Sequence, residues 1–210
     1  MSISGLTTLR EVMTSRKSVR KYDSSRKVTQ ETINKIMELA TTAPSSWNLQ
    51  HWKFIIVSDQ KVKDRLFPIA FNQVQVTTCS HLIIILGDTK AYENAYEILS
   101  IQVEKGYMSQ SAKNVQIDNI LYAYHANKEK YEIHDAIRNS SLAAMQLMLA
   151  AKSFGIDSCP MLSFKEDELM KELQIPKRYL PVMMISLGYA SQPAYSTVRL
   201  PVEKVILKEY

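Results

Sequence analysis

Short apolar runs alternate along the chain with amphipathic stretches, and the two periods predict different elements. Leu6, Leu9, Val12 and Met13 recur at helical spacing, so the chain opens on a helix that stops at the basic run Ser15-Arg16-Lys17-Ser18-Val19-Arg20-Lys21-Tyr22. Thr29 is placed to cap a second helix carrying Ile33, Ile36, Met37 and Ala40 inward. Ala43-Pro44 closes it, because the residue before proline avoids the helical region. The polar loop over 45–50 then feeds a strand over 53–57, and 59–70 reads as an amphipathic helix. Residues 81–86 are rich in isoleucine and bounded by Gly87 and Asp88, as a buried strand is. From 92 to 135 the composition turns charged and tyrosine-rich, with Ile117, Ile120, Leu121 and Tyr124 at helical spacing. This stretch is expected to be a helical excursion and a possible substrate lid.

Residues 136–153 are apolar nearly all round, the pattern of a helix covered on every side by its own domain or by a second subunit. Gly155 stops it. Ser163 and Glu166 have the spacing of a capping box for a helix through Leu173, which Pro176 ends. Residues 180–188 form a third core strand, and 199–207 have the pattern of an edge or partner strand.

At 210 residues the chain suits one domain over 1–210, large enough to build its core without disulfide or metal support. No run approaches the ~18–20 apolar residues of a membrane span, so no membrane partner is expected. Glycine changes the picture most. Only five occur, at 5, 87, 106, 155 and 188, none close to another. A dinucleotide fingerprint and a Walker A loop both need crowded glycines that let backbone N–H groups approach phosphate, so both are excluded. Any phosphate must be gripped by side chains. The net charge of +5 permits anionic ligands without requiring nucleic acid. Cys79 and Cys159 form no C-x-x-C pair and read as core residues, and the first twelve residues lack the apolar core of a signal peptide. A reducing, cytoplasmic setting is expected.

Neither a G-x-S-x-G elbow nor H-E-x-x-H occurs, which removes the usual serine and zinc hydrolase signatures. Cys79 with His81 on a strand would supply two metal ligands, too few for a tetrahedral site, so no metal is expected. The basic run is more informative. Arg16, Lys17, Ser18 and Arg20 put three cations and a hydroxyl within five residues, a set that suits a phosphate and ribose-like hydroxyls. A solvated basic patch and a nucleic-acid contact are the other uses of the same residues. In the loop after Pro44, Ser45, Ser46, Asn48 and Gln50 interleave with Trp47 and Trp52, offering amides for ring heteroatoms and flat surfaces for packing.

Five segments in order carry a resemblance: S-R-K-S-V-R-K-Y, A-P-S-S-W-N-L-Q-H-W-K-F, F-N-Q-V-Q-V-T-T-C-S-H, G-I-D-S-C-P-M-L-S-F, which is expected to form a turn, and the closing R-L-P. Together they resemble the nitroreductase family, flavoenzymes that bind FMN and take electrons from NADH or NADPH. The resemblance implies an α+β nitroreductase-like fold, a mainly antiparallel sheet flanked by helices, in an intertwined homodimer with shared sites. It implies that Arg16, Lys17, Ser18 and Arg20 hold the FMN phosphate and ribityl chain, with Arg199 as a second phosphate grip. Asn72 and Gln75 would face the flavin ring, and Pro160, Met161, Leu162 and Ser163 would line its other edge. Ser45, Ser46, Asn48 and Gln50 would come from the second subunit. The implied reaction is ping-pong hydride transfer through flavin N5 to small, flat, electron-poor acceptors such as nitroaromatics or quinones, with no essential acid or base residue. Same-fold dehalogenases, flavin-fragmenting enzymes and dehydrogenating oxidases are the alternatives, and a basic nucleic-acid-binding module is a more distant one. Many members carry lysine at the positions of Gln75 and Thr197, and some carry glutamate at that of Leu162. At His51 the chain departs from a usual proline; a substrate contact is one reading, and a solvent-exposed loop residue is the one expected there.

Overall fold

The computed structural model describes residues 8–210, so the Leu6 position of the expected first helix lies outside the described residues. Helix α1 (Leu9–Ser15) starts on a capping box between Thr8 and Glu11 and buries only Val12. Thr29 and Asp59 cap α2 (Gln30–Ala40) and α3 (Gln60–Ile69), each accepting from a backbone N–H three residues on. The short α4 (Gln75–Thr78) follows α3.

The strands are β1 (Trp52–Val57), β2 (His81–Asp88), β3 (Asp157–Met161) and β4 (Tyr179–Gly188), in the order β1-β2-β4-β3 with every neighbouring pair antiparallel. Strand β2 is buried at all eight positions. Its side chains alternate between two cores: Leu82, Ile84 and Leu86 pack with Leu66, Val76 and Leu169, whereas Ile83 and Ile85 pack with Ile33, Ile36 and Leu147. A strand covered on both faces reads as one continuous apolar run, the pattern of 81–86. The cover on one face is α3 with α8 (Glu166–Glu172), and on the other α2 with α7 (Asp135–Ser153). Helix α7 crosses close above the end of β2, where a Cβ at Gly87 would stand 2.8 Å from the carbonyl oxygen of Ala136. Side-chain-free backbone is required there.

The 92–135 excursion is helical as expected. It contains α5 (Asn94–Glu104), α6 (Gln110–Ala126) and a π-helical turn over Glu129–His134. It has a small core of its own, in which Ala95, Leu99, Ile120 and Tyr124 close over Leu49.

Three expectations are corrected. The G-I-D-S-C-P-M segment is strand β3, not a turn; β3 lies at the sheet edge, where Pro160 costs no ladder bond toward a further strand. Ser163 and Glu166 form no capping box, since Lys165 is the N-cap of α8 and donates no side-chain cap. Residues 199–207 make no strand; a short 3-10 turn over Val202–Lys204 interrupts an exposed tail.

Candidate functional site

The edge strand β3 collects three of the segments singled out above. Ser18 bridges Ser158 in parallel, with Val19 N–H donating to the Ser158 carbonyl at 3.0 Å. This pairing brings the basic run beside β3 and holds Arg16, Ser18 and Arg20 around the Cys159 thiol. Burial pushes that thiol up, while Arg20, the Ser18 hydroxyl and Arg16 pull against it, in that order. Cys159 itself is buried, a core residue and not a reactive thiolate. Among the described residues, Arg16 Nη1 is buried without a hydrogen-bond partner. A buried guanidinium donor left open costs free energy unless an acceptor fills it, and an anionic oxygen fits best.

The second segment approaches the C-terminal end of β3. Gln73 Nε2 donates to the Ser163 carbonyl at 2.8 Å, and Gln75 Nε2 donates to Gln73 Oε1 at 3.0 Å. Phe71 and Asn72 both adopt left-handed backbone, φ 52° and 56°. Non-glycine residues held there store strain, which accumulates where a structure positions functional groups. Leu162, 70% exposed, and Phe71, 57% exposed, leave an apolar rim on this side.

A family model described as "Nitroreductase family" matches residues 13–189, which span all these segments. The chain belongs to the nitroreductase family. It is 40% identical over 200 residues to YodC of Bacillus subtilis (strain 168), a protein named for NAD(P)H nitroreductase activity, covering 95% of this chain and 98% of that one. It is 31% identical to the CLA biosynthesis enone reductase of Lactiplantibacillus plantarum, covering 91% and 89%. A solved structure from Exiguobacterium sibiricum, classed with the nitroreductases and in complex with FMN, superposes with TM-score 0.91 at 35% identity over 99% of this chain and 100% of that one. The nitroreductase fold, α+β on an antiparallel sheet, and oxidoreductase membership are thus those expected. No helix among the described residues is long and apolar enough to cross a membrane, and no cluster of metal-ligating side chains occurs among them.

In this member of the family the remaining candidates lie elsewhere in the chain. Lys17 faces away from Cys159 into a separate cleft of about 490 Å³ with Thr14, Lys152 and Asp157. Arg199 stands in the exposed tail, and its guanidinium bonds only Thr197 Oγ1 and the Val198 carbonyl among the described residues. The tail leaves the domain beside the basic run, where Arg20 sits 5.6 Å from the Tyr195 ring. Ser45, Ser46, Asn48 and Gln50 form a tight loop ahead of β1. Ser45 Oγ accepts Gln50 N–H, Asn139 Oδ1 accepts Ser46 N–H, and Trp47, Asn48 and Gln50 all have positive φ. Trp47 packs on Tyr131 with ring centroids 5.4 Å apart. β1 begins opposite Gly87, at the far end of β2 from α4. Seven residue steps along β2 span roughly 23 Å, so a single copy separates this loop from Gln75 by about the length of the strand.

His51 corrects the expectation of exposure, because it is fully buried and its Nε2 lies 3.0 Å from the Tyr124 hydroxyl. Burial drives its imidazole down to about 4, against the charges of Asp135 and Asp88. It anchors α6 to the start of β1. Three further residues make contacts that tie the site together without being site candidates by sequence: Gln73, Asn139 and Tyr124. Gln73 stood inside F-N-Q-V-Q, where its two-residue spacing from Gln75 was visible. Asn139 and Tyr124 lie some ninety and seventy residues from their partners, and no local pattern signals them.

Proposed function

We propose that this chain is an FMN-dependent NAD(P)H oxidoreductase that reduces small, flat, electron-poor acceptors such as nitroaromatics and quinones, and that two copies build each site. The observation that carries the reading is the buried, unpartnered Arg16 Nη1 beside Ser18, Arg20 and β3. Without clustered glycines, a phosphate here needs side-chain donors, and this is where they converge. The donor set fits FMN: Arg16 and Arg20 for the phosphate, with Arg199 in support, and Ser18 for the ribityl hydroxyls; Lys17, in its separate cleft, stands outside this set. Asn72 and Gln75 would meet the ring on one side and Pro160, Met161, Leu162 and Ser163 on the other. Bound FMN supplies hydride chemistry: two electrons and a proton from NADH or NADPH in one half-reaction, delivered to the acceptor in the next.

The protein's part is to bind, orient and exclude water. Because Ser45, Ser46, Asn48 and Gln50 lie a strand's length away from Gln75, they reach a flavin only if a second copy brings them. Exposed apolar residues support that assembly: Leu9 and Met13 on α1, Ile137, Leu142 and Met145 on α7, and Val198 and Leu200 in the tail. The acceptor would enter between Trp47 and α6, where a cleft of about 550 Å³ is lined by Ser111, Val115, Gln116 and Asn119. In this reading α5 and α6 are the lid.

The similarity to an enone reductase adds activated enones to the acceptors worth testing. The purified protein should be yellow and release FMN on denaturation. Stopped-flow reduction by NADH and NADPH, followed by reoxidation with nitroaromatic, quinone and enone panels, identifies both substrates. Colourless protein that takes up no FMN on reconstitution, and binds nucleic acid with a steep salt dependence, would reject it.

A further inference from the structure

The contacts around Gln75 have a direction. A backbone carbonyl can only accept, so the Ser163 carbonyl forces Gln73 to present Nε2 to it and Oε1 to the other side. Gln73 Oε1 in turn forces Gln75 to present Nε2. The amide of Gln75 is therefore fixed end for end by a backbone oxygen on another element. Its own Oε1 takes no donor among the described residues and is not sealed in the core, so the little surface that Gln75 keeps includes this acceptor.

We infer that the Gln75, Gln73 and Ser163 chain of amides holds a neutral, acceptor-oriented group against the flavin ring and thereby keeps the flavin a strong reductant. The inference rests on the proposed FMN site. Two-electron reduction adds negative charge to the ring, and a cation or an N–H donor beside it stabilises the reduced form more than the oxidised one. An amide oxygen does the reverse. With one of its two N–H groups committed to Gln73, Gln75 cannot swing Nε2 into the place of Oε1 as charge accumulates, because turning would set Gln75 Oε1 against Gln73 Oε1. Reduced FMN held this way is bound less tightly than oxidised FMN, and its electrons reach acceptors of lower electron demand, activated enones as well as nitro compounds and quinones. Gln73 is a positioning residue on this account. It acts on the ring only through Gln75.

The test is the midpoint potential of the FMN-bound protein by spectroelectrochemical titration, with dissociation constants for oxidised FMN measured alongside by fluorescence. Gln75→Lys keeps a donor to Gln73 Oε1 and adds a positive charge. It should tighten reduced relative to oxidised FMN about tenfold, a shift of ~30 mV to more positive potential. Gln75→Glu should move the potential the opposite way by a similar amount. Gln73→Met leaves Gln75 in place but frees its amide to turn, and should raise the reduced-to-oxidised ratio by about threefold. A role confined to packing would change FMN affinity without ordering the potentials by charge. FMN bound with equal potentials in all four proteins, or Lys and Glu variants shifting together, would overturn the inference and leave the FMN site standing. Wild-type protein that binds no FMN would overturn both.

Discussion

His51 sits fully buried with one ring nitrogen on the Tyr124 hydroxyl and the other without a partner among the described residues. Its folded pKa of about 4 lies below the ordinary 6.5, so between those values the unfolded chain takes up a proton that the folded chain refuses. Stability contributed by this residue is complete above about pH 6.5, falls as the pH drops toward 4, and changes no further below it. The size is on the order of 3 kcal/mol. Urea denaturation near pH 7.5 and pH 4.5 should show most of this loss in the wild type and little of it in His51→Gln, whose amide can still meet Tyr124. Identical pH dependence in both proteins would place the acid sensitivity elsewhere. Arg16 gives a second test at this scale. A charge-assisted hydrogen bond contributes about 1.5–3 kcal/mol, so Arg16→Ala should weaken FMN roughly ten- to a hundredfold and riboflavin, which lacks the phosphate, far less. Equal losses for the two flavins in a fluorescence titration would make Arg16 structural. The two residues differ in legibility. Arg16 stood out because clustered cations and scarce glycine constrain phosphate binding from sequence alone, whereas the burial of His51 depends on Tyr124, seventy-three residues away.

Between elements, one of the joints that fix the 92–135 excursion to the sheet is ionic. Arg178, just before β4, forks onto both carboxylate oxygens of Asp88 at 2.6 and 2.8 Å and reaches Glu93 Oε2 at 2.6 Å. The Asp88 side chain is fully buried at the end of β2. Arg178→Ala would strand that carboxylate and should cost about 3–5 kcal/mol, read as a shift in the denaturation midpoint. Arg178→Leu combined with Asp88→Asn should recover a large share, because Asn keeps an acceptor for Lys90 N–H and carries no charge. No recovery would mean that packing, not the stranded charge, sets the loss. Elements with strong local signals were legible: the Thr29 cap, the helix within 59–70 and the isoleucine run of β2 all lie where the pattern puts them. Strand β3 was not, because five residues with a proline carry too little pattern. Its formation depends on β4 on one side and the Ser18 bridge on the other. The tail failed for the opposite reason: 199–207 is rich in apolar residues, but a strand needs a paired neighbour, and no β-bridge among the described residues reaches this segment.

At the scale of the molecule, the two halves of the proposed flavin site are parts of one chain that its own fold keeps apart. Arg16, Ser18, Gln75 and β3 lie toward one end of the sheet, and Ser45, Asn48 and Gln50 toward the other. A two-fold axis would bring each end against its counterpart twice, closing two sites and covering the exposed apolar residues of α1 and α7 in one step. Light scattering should then give about 48 kDa for the FMN-bound protein, twice the 24.0 kDa chain. A sharper test separates shared sites from mere association. One protomer carries Arg16→Ala; the other carries Asn48→Gly with Gln50→Gly, changes that keep the positive φ of both positions without strain. Each variant alone should bind FMN poorly. When equal amounts are unfolded and refolded together, half of the dimers are mixed, and every mixed dimer holds one intact site and one carrying both defects. FMN binding should therefore return to about a quarter of the wild-type number of sites. If each site belonged to a single chain, every site in the mixture would still carry one defect or the other, and mixing would restore nothing.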